Sequence, residues 1–323
     1  MGERDIKVSA LILTYNHERF IGDAIEGVLM QKTDFPYELV ITEDCSTDGT
    51  RDVIRKYWQK HPDRIRVSLN RHNIGAHRAI VRGYRACRGQ YVTSMDGDDY
   101  WTSSDKLQRQ ADLLDCRPDC AMCFHCVTSL RDDGKQPLTL GRPPKVQEAY
   151  TLTEILDYNF IPACSVMYRK GVFPEHPYWF FLPPVGDWTQ HILHALHGKI
   201  GYIDEPMAVY RMHAGGVHSL RPREKTLRVD IKTRLLLRQV LERKYRAALT
   251  VSLIHQYAML ADVYRDKGDR TELRACVRDC VLDCFPNLFK GDMSLLKMLA
   301  HTYLPRSYGW LRSLARSRPG PVG

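Results

Sequence analysis

The sequence predicts an α/β fold: a Rossmann-like, doubly wound, mostly parallel sheet followed by a helical appendage. Three observations predict it. Apolar runs alternate with amphipathic segments four times within the first hundred residues, the pattern of parallel strands joined by helices on both faces. Polar and acidic clusters close three of those runs, at the strand ends where such sheets bind ligands. After about residue 221 the strand pattern gives way to long Leu- and Arg-rich segments.

The elements run in order. "VSALILTYN" is a buried strand. "HERFIGDAIEGVLMQ" is a helix, with Phe20, Ile21, Ala24, Ile25, Val28 and Leu29 at helical spacing. "YELVITED" is a second strand. "STDGTRDVIRKYWQKH" opens with cap-type residues and places Val53, Ile54, Tyr57 and Trp58 on one helical face. "DRIRVSLN", "NIGAHRAIVRGYRAC" and "GQYVTSM" complete the alternation. Further on, "SDKLQRQADLLDC" reads as a helix, and "CAMCFHCVTSL" and "IPACSVMYRK" as strands. "RDDGKQPLTLGRPPK" reads as a Pro/Gly-rich loop. "VGDWTQHILHALHG" is a turn and helix, and "KIGYIDEPMAVYRMHAGGVHS" a strand pair closed by a Gly-Gly loop.

The chain has 323 residues, 44% hydrophobic and 26% charged. That suits a globular protein with one large domain and an appendage, or two domains. The expected division is 1–220 and 221–323. There is no apolar run of 18 or more residues for a spanning helix. The N-terminus lacks the pattern of a cleaved leader, so a cytoplasmic protein with reduced cysteines is expected. The net charge is +9, and residues 223–323 carry 20 Lys/Arg against 10 Asp/Glu, so the excess belongs to the C-terminal third. "MSLLKMLAHTYLPRSYGWLRSLARSRPG" interleaves apolar, aromatic and basic residues, a composition that suits peripheral contact with an anionic membrane face.

Four stretches could carry chemistry. "DGDD" crowds Asp96, Asp98 and Asp99 into four residues at a strand end. Such acids either face water or share a divalent cation with substrate phosphates. Glu43 and Asp44 close the second strand, where a carboxylate can meet a sugar hydroxyl or a base N–H, or favour the next helix N-terminus. Asp187 follows "LPPVG" and precedes a helix, as an N-cap acid or as a general base beside Trp188. His213 precedes two glycines that permit close ligand approach. A fifth cluster carries less. Cys116, Cys120, Cys123, Cys126 and His125 crowd together, but strand alternation puts Cys123 and His125 opposite Cys120 and Cys126, so one ion could not gather them.

Taken in this order and spacing, "VSALILTYNHERFIGDAIEGVLMQ", "ITEDCSTDGT", "GQYVTSMDGDDYW", "VGDW" and "YRMHAGG" resemble the family 2 glycosyltransferases of GT-A fold, over about residues 6–220. The resemblance implies inverting transfer from a nucleotide diphosphate sugar, with a UDP- or dTDP-sugar favoured. It implies that Thr14, Tyr15 and Asn16 line the nucleotide pocket and that Glu43 and Asp44 serve the base. Asp96 and Asp98 would bind the donor. Asp98, Asp99 and His213 would hold Mg2+ or Mn2+ at the diphosphate, and Asp187 would be the catalytic base. The acceptor would be a sugar, a lipid-linked saccharide or a small molecule, in cell-surface glycan or other glycoconjugate synthesis. The sequence departs from the family pattern at Glu43, where Asp is commoner, and at "GDW", where many members carry Glu-Asp. Two alternatives stand beside this reading. A nucleic-acid-binding protein would use the basic tail, though no helix-turn-helix or zinc-finger spacing is present, and no nucleic-acid partner is expected. A nucleotidyltransferase would need a Gly-rich first turn, which "TYNHERF" lacks.

Overall fold

The computed structural model describes residues 5–131, 138–213, 215–216 and 221–284. The amphipathic segment 293–320, part of the loop 131–145 and the end of the Gly-Gly loop lie outside these. The chain divides into two compact units, Met1–Leu220 and Arg221–Gly323.

The first unit opens with β1 (Val8–Thr14), α1 (Ile21–Leu29), β2 (Tyr37–Glu43), α2 (Thr50–Lys60), β3 (Ile65–Leu69), α3 (Ala76–Ala86) and β4 (Tyr91–Asp96). Next come β5 (Tyr100–Trp101), α4 (Lys106–Cys116), β6 (Cys120–His125), β7 (Val127–Arg131), β8 (Thr139–Leu140), β9 (Ala149–Tyr150) and α5 (Leu152–Asp157). The unit closes with β10 (Met167–Arg169), α6 (Gly186–Ala195), β11 (Lys199–Ile203) and β12 (Ala208–Met212).

Among the described residues one sheet has eight strands in the order β3-β2-β1-β4-β10-β6-β11-β9. β3, β2, β1 and β4 are parallel neighbours, and β10 enters antiparallel between β4 and β6. The period-2 pattern divides each central strand between two cores. Val8, Ala10, Ile12, Leu39 and Ile41 pack with Ile25 of α1, Ile54 of α2 and Leu107 of α4. Leu11, Val40 and Val92 face the other way, onto Val81 and Tyr84 of α3 and Leu193 of α6. The sheet is therefore doubly wound, as the alternation predicts.

The sequence pattern misleads in the second half. "CAMCFHCVTSL" is not one strand. It breaks at Cys126, with β6 in the large sheet and β7 in a second sheet ordered β5-β12-β7-β8. β11 and β12 are likewise not a hairpin: β11 runs parallel to β6, and β12 runs parallel to β7. The two segments cross from one sheet to the other side by side. "IPACSVMYRK" keeps only three strand residues, because Ala163–Ser165 form a 3-10 turn after Pro162.

The short strand β5 ties the acidic turn to the last strand of the unit. It pairs antiparallel with β12, Tyr100 opposite Val209 and Trp101 opposite Ala208. Gly27 lets α1 lie against it: a Cβ there would stand 2.9 Å from the Trp101 backbone nitrogen.

The second unit contains α7 (Arg223–Val240), α8 (Arg246–Asp266) and α9 (Arg270–Cys284). Leu227, Ile231, Leu253, Tyr257, Leu260, Val277 and Cys280 form its core. Gly268, at φ 71°, ends α8 in the left-handed conformation that a Cβ disfavours. The buried Arg234 donates from Nε to Ser252 Oγ at 2.6 Å.

Candidate active site

The site grows from the carboxyl ends of β1, β2 and β4. After Thr14 the chain turns sharply, and Asn16 takes φ 58°. Its side chain ties this turn to the one after β2: Asn16 Oδ1 accepts the Thr47 N–H at 2.8 Å, and the Asn16 N–H donates to Ser46 Oγ at 2.9 Å. A short amide side chain that bonds locally is one of the few that sits comfortably there. Tyr15 stays open to solvent, whereas Thr14 is buried with Oγ1 3.3 Å from His17 Nδ1.

Glu43 and Asp44 do not present free carboxylates to the crevice. Glu43 is fully buried, pairs with Arg51 Nε at 2.5 Å and accepts the Ser46 N–H. Asp44 Oδ1 accepts from Asn70 Nδ2 at 2.7 Å and from the Ile74 N–H at 2.9 Å, while Oδ2 accepts the Gly75 N–H at 2.9 Å. The loop before α3 exposes backbone donors that need acceptors, and Asp44 supplies them. In this structure these two acids hold the loops after β2 and before α3.

The acidic turn divides three ways. Asp96 ends β4 and opens to the crevice. Asp98 is partly buried. Asp99 is completely buried: Oδ1 accepts the Arg211 N–H at 2.9 Å, and Oδ2 has no hydrogen-bond partner among the described residues. Burial, then the charges of Asp98 and Asp96, raise its carboxyl well above the usual range. Asp99 thus lies in the interior, with one oxygen on the Arg211 N–H, whereas Asp98 is the member of the turn that meets His213.

The cation beside the acidic turn is Arg211. Its guanidinium donates to the Asp98 carbonyl at 3.1 Å, pairs with Asp23, and lies 4.4 Å from the Tyr100 ring centre and 5.2 Å from that of Phe20. His213 completes the arrangement, with Nε2 3.1 Å from Asp98 Oδ2 and its ring 4.6 Å from that of Phe20.

Asp187 lies in the first turn of α6, anchored by the buried Trp188, whose Nε1 donates to the Ile155 carbonyl at 2.9 Å. Its charge reaches Asp96 across the crevice. The crevice walls, then Asp98 and Asp187, push the Asp96 carboxyl up to about 8. Asp96 is open to solvent by area, yet protein surrounds it on most sides, and that confinement is what disfavours its charge. Two histidines flank Asp187. His77 has its pKa lowered by burial, against raising effects of Asp187 and of the Pro183 backbone. His191 is lowered to about 4 by burial, again opposed by Asp187.

Sequence reasoning missed His17, Arg211, His77 and His191. Arg211 had a signal: three crowded acids demand a cation, and "YRMH" offers one two residues before His213.

Among the described residues no three ligating side chains are already gathered about one point. Asp98 Oδ2 and His213 Nε2 are in place as a pair. Two protein donors fit a divalent ion that takes its other ligands from a diphosphate and water.

The family model for glycosyl transferase family 2 matches residues 9–176. The chain belongs to that family. This family 2 member is 36% identical over 214 residues to an uncharacterized protein of Mycobacterium tuberculosis, 65% of the chain and 60% of that protein. The chain thus spans about 60% of that relative's length. It is 30% identical over 223 residues to an uncharacterized glycosyltransferase of Nostoc, 66% and 67% of the two chains. In three dimensions it resembles S. aureus TarS in complex with UDP, at a TM-score of 0.62 and 20% identity, over 98% of this chain and 94% of that one. TarS is a poly(ribitol-phosphate) β-N-acetylglucosaminyltransferase. The mannosyltransferase PcManGT of Pyrobaculum calidifontis, in complex with GDP-Man and Mn2+, gives a TM-score of 0.56 at 15% identity, over 98% and 87%. The likeness to these structures establishes the GT-A fold of the family 2 chain. Among its described residues no helix is long and apolar enough to cross a membrane.

Proposed function

We propose that this chain is an inverting glycosyltransferase that moves a sugar from a nucleotide diphosphate sugar, UDP or dTDP, to an acceptor hydroxyl in cell-surface glycan synthesis. The observation that carries the reading is the contact of Asp98 with His213 in the acidic turn after β4, with Asp187 at the start of α6 near enough for its charge to raise the Asp96 carboxyl. Asp187 can serve an acceptor and the Asp98–His213 pair a donor diphosphate. TarS and its UDP complex support the class of donor and product.

Each residue then has a task. Asp98 and His213 would hold Mg2+ or Mn2+, which when bound offsets charge on the leaving diphosphate. Asp96 would contact the donor beside that site. Asp187 takes the proton of the attacking hydroxyl, a step worth ~10²–10⁴-fold. Arg211 keeps the acidic turn in register without touching the substrate. The acceptor is a sugar, a lipid-linked saccharide or a small molecule, and basic residues of 221–323 would bring the enzyme to a membrane face that carries it.

The test is Asp187→Asn. Turnover should fall ~10²–10⁴-fold while UDP still raises the thermal midpoint as it does in the parent protein. A variant with full turnover would remove Asp187 from the mechanism.

A further inference from the structure

Asp98 Oδ2 faces two imidazoles. His213 Nε2 stands 3.1 Å from it, and His17 Nε2 stands 3.8 Å from the same oxygen. The rings arrive from opposite ends of the first unit's sequence and are held separately. The His17 N–H donates to Thr50 Oγ1 at 2.9 Å, and its Nδ1 lies 3.3 Å from Thr14 Oγ1. That leaves Nε2 as the ring nitrogen turned towards Asp98. His213 is held by the Phe20 ring. The three side chains are 19%, 16% and 9% exposed for His17, Asp98 and His213, sheltered but open to a small ion.

We propose that His17 is the third protein donor of the cation site, in place of Asp99, and that the resulting two-imidazole, one-carboxylate set favours a transition ion such as Mn2+ over Mg2+. The proposal rests on the reading of Asp98 and His213 as the donor-side cation site. Neighbouring ligands of an octahedral ion at about 2.1 Å lie about 3.0 Å apart. The His213–Asp98 separation already matches, whereas His17 stands 3.8 Å from Asp98 and its ring must move inward to join the set. Imidazole nitrogen suits first-row transition ions, whereas Mg2+ prefers oxygen. Asp99 cannot compete, because its carboxylate lies in the interior against the Arg211 N–H.

The experiment uses the full chain with Mn2+, titrated with and without UDP. Pulsed electron paramagnetic resonance counts the imidazole nitrogens on the ion. Two are expected in the parent protein and one in His17→Gln or in His213→Gln. Mn2+ affinity should fall about tenfold or more in His17→Gln, with Mg2+ affinity changed less, so the preference for Mn2+ narrows. One nitrogen in the parent protein overturns the assignment without recourse to any variant. So does Mn2+ affinity in His17→Gln within about twofold of the parent. UDP stabilisation without metal separates the two readings. UDP stabilisation with one nitrogen coupled to Mn2+ overturns the role of His17 alone, and UDP stabilisation with no nitrogen coupling overturns the imidazole site as a whole. Neither UDP nor Mn2+ binding overturns both.

Discussion

Lys106 holds its ammonium nitrogen 4.0 Å from the centre of the Trp101 ring, fully buried. Its hydrogen bonds end on neutral oxygens, Thr93 Oγ1 at 3.0 Å and Gln110 Oε1 at 2.6 Å, and among the described residues it has no carboxylate partner. Burial lowers its pKa to about 7. Between pH 7 and about 10.4 the unfolded chain keeps a proton that the folded chain has released, so stability rises with pH across that window. The Cys123 thiol beside it is pushed up to about 12 by burial and stays protonated there. Lys106→Met should abolish the rise and be equal to or about 1 kcal/mol more stable than the parent at pH 6. Denaturant unfolding from pH 6 to 10 checks this, and a variant that keeps the slope refutes it.

Asp96 acts with the opposite sign. Its folded pKa, up to about 8, lies above the value of about 3.9 in an unfolded chain. As pH rises from 4 towards 8 the unfolded chain gives up its proton first, and stability falls. Asp96→Asn should therefore raise the thermal midpoint at pH 8, with little change at pH 4, while nucleotide stabilisation is lost. The comparison is made without divalent ions. Equal midpoints at pH 8 would contradict it.

Asp44 is predicted to hold the loop before α3. Asp44→Ala leaves the Ile74 and Gly75 amides without their acceptor, at a cost of about 2–3 kcal/mol. Hydrogen exchange at those two amides should accelerate more than in the centre of β1. Unchanged protection at both would show that the carboxylate is dispensable to the loop.

Cys45 and Asn16 both sit in the left-handed region, at φ 66° and 58°. Only Asn16 has a side chain suited to it. Cys45→Gly should gain up to about 1 kcal/mol, and Asn16→Val should lose about 2 kcal/mol. Paired unfolding curves decide, and a destabilised Cys45→Gly would mean the thiol's contact with the Arg71 carbonyl outweighs the backbone strain.

The strand–helix rhythm made β1 to β4 legible in advance, because central strands buried on both faces must be apolar throughout. Val8 to Leu13 could hardly be anything else. β5, two residues long, has no period to read. The break at Cys126 was hidden because both halves alternate alike and only partner strands distinguish the sheets. In the candidate site, motif order singled out Asp98 and His213, which the fold brings to 3.1 Å of each other. The inward turn of Glu43, Asp44 and Asp99 could not be read in advance, since a carboxylate's role depends on which N–H groups the tertiary fold brings to it.

β5 pairs with β12 through Tyr100–Val209 and Trp101–Ala208, and just beyond that pairing the Asp99 side chain meets the Arg211 backbone and the Asp98 side chain meets His213. A structural zipper only two rungs long therefore aligns Asp98 and His213, which lie more than a hundred positions apart. Its tolerance for length change is correspondingly small. One residue inserted between Asp99 and Tyr100 would flip the ladder's faces and carry Asp98 away from the imidazole. Mutational scanning should find insertions there among the least forgiven in the catalytic unit, with nearby surface turns far more permissive.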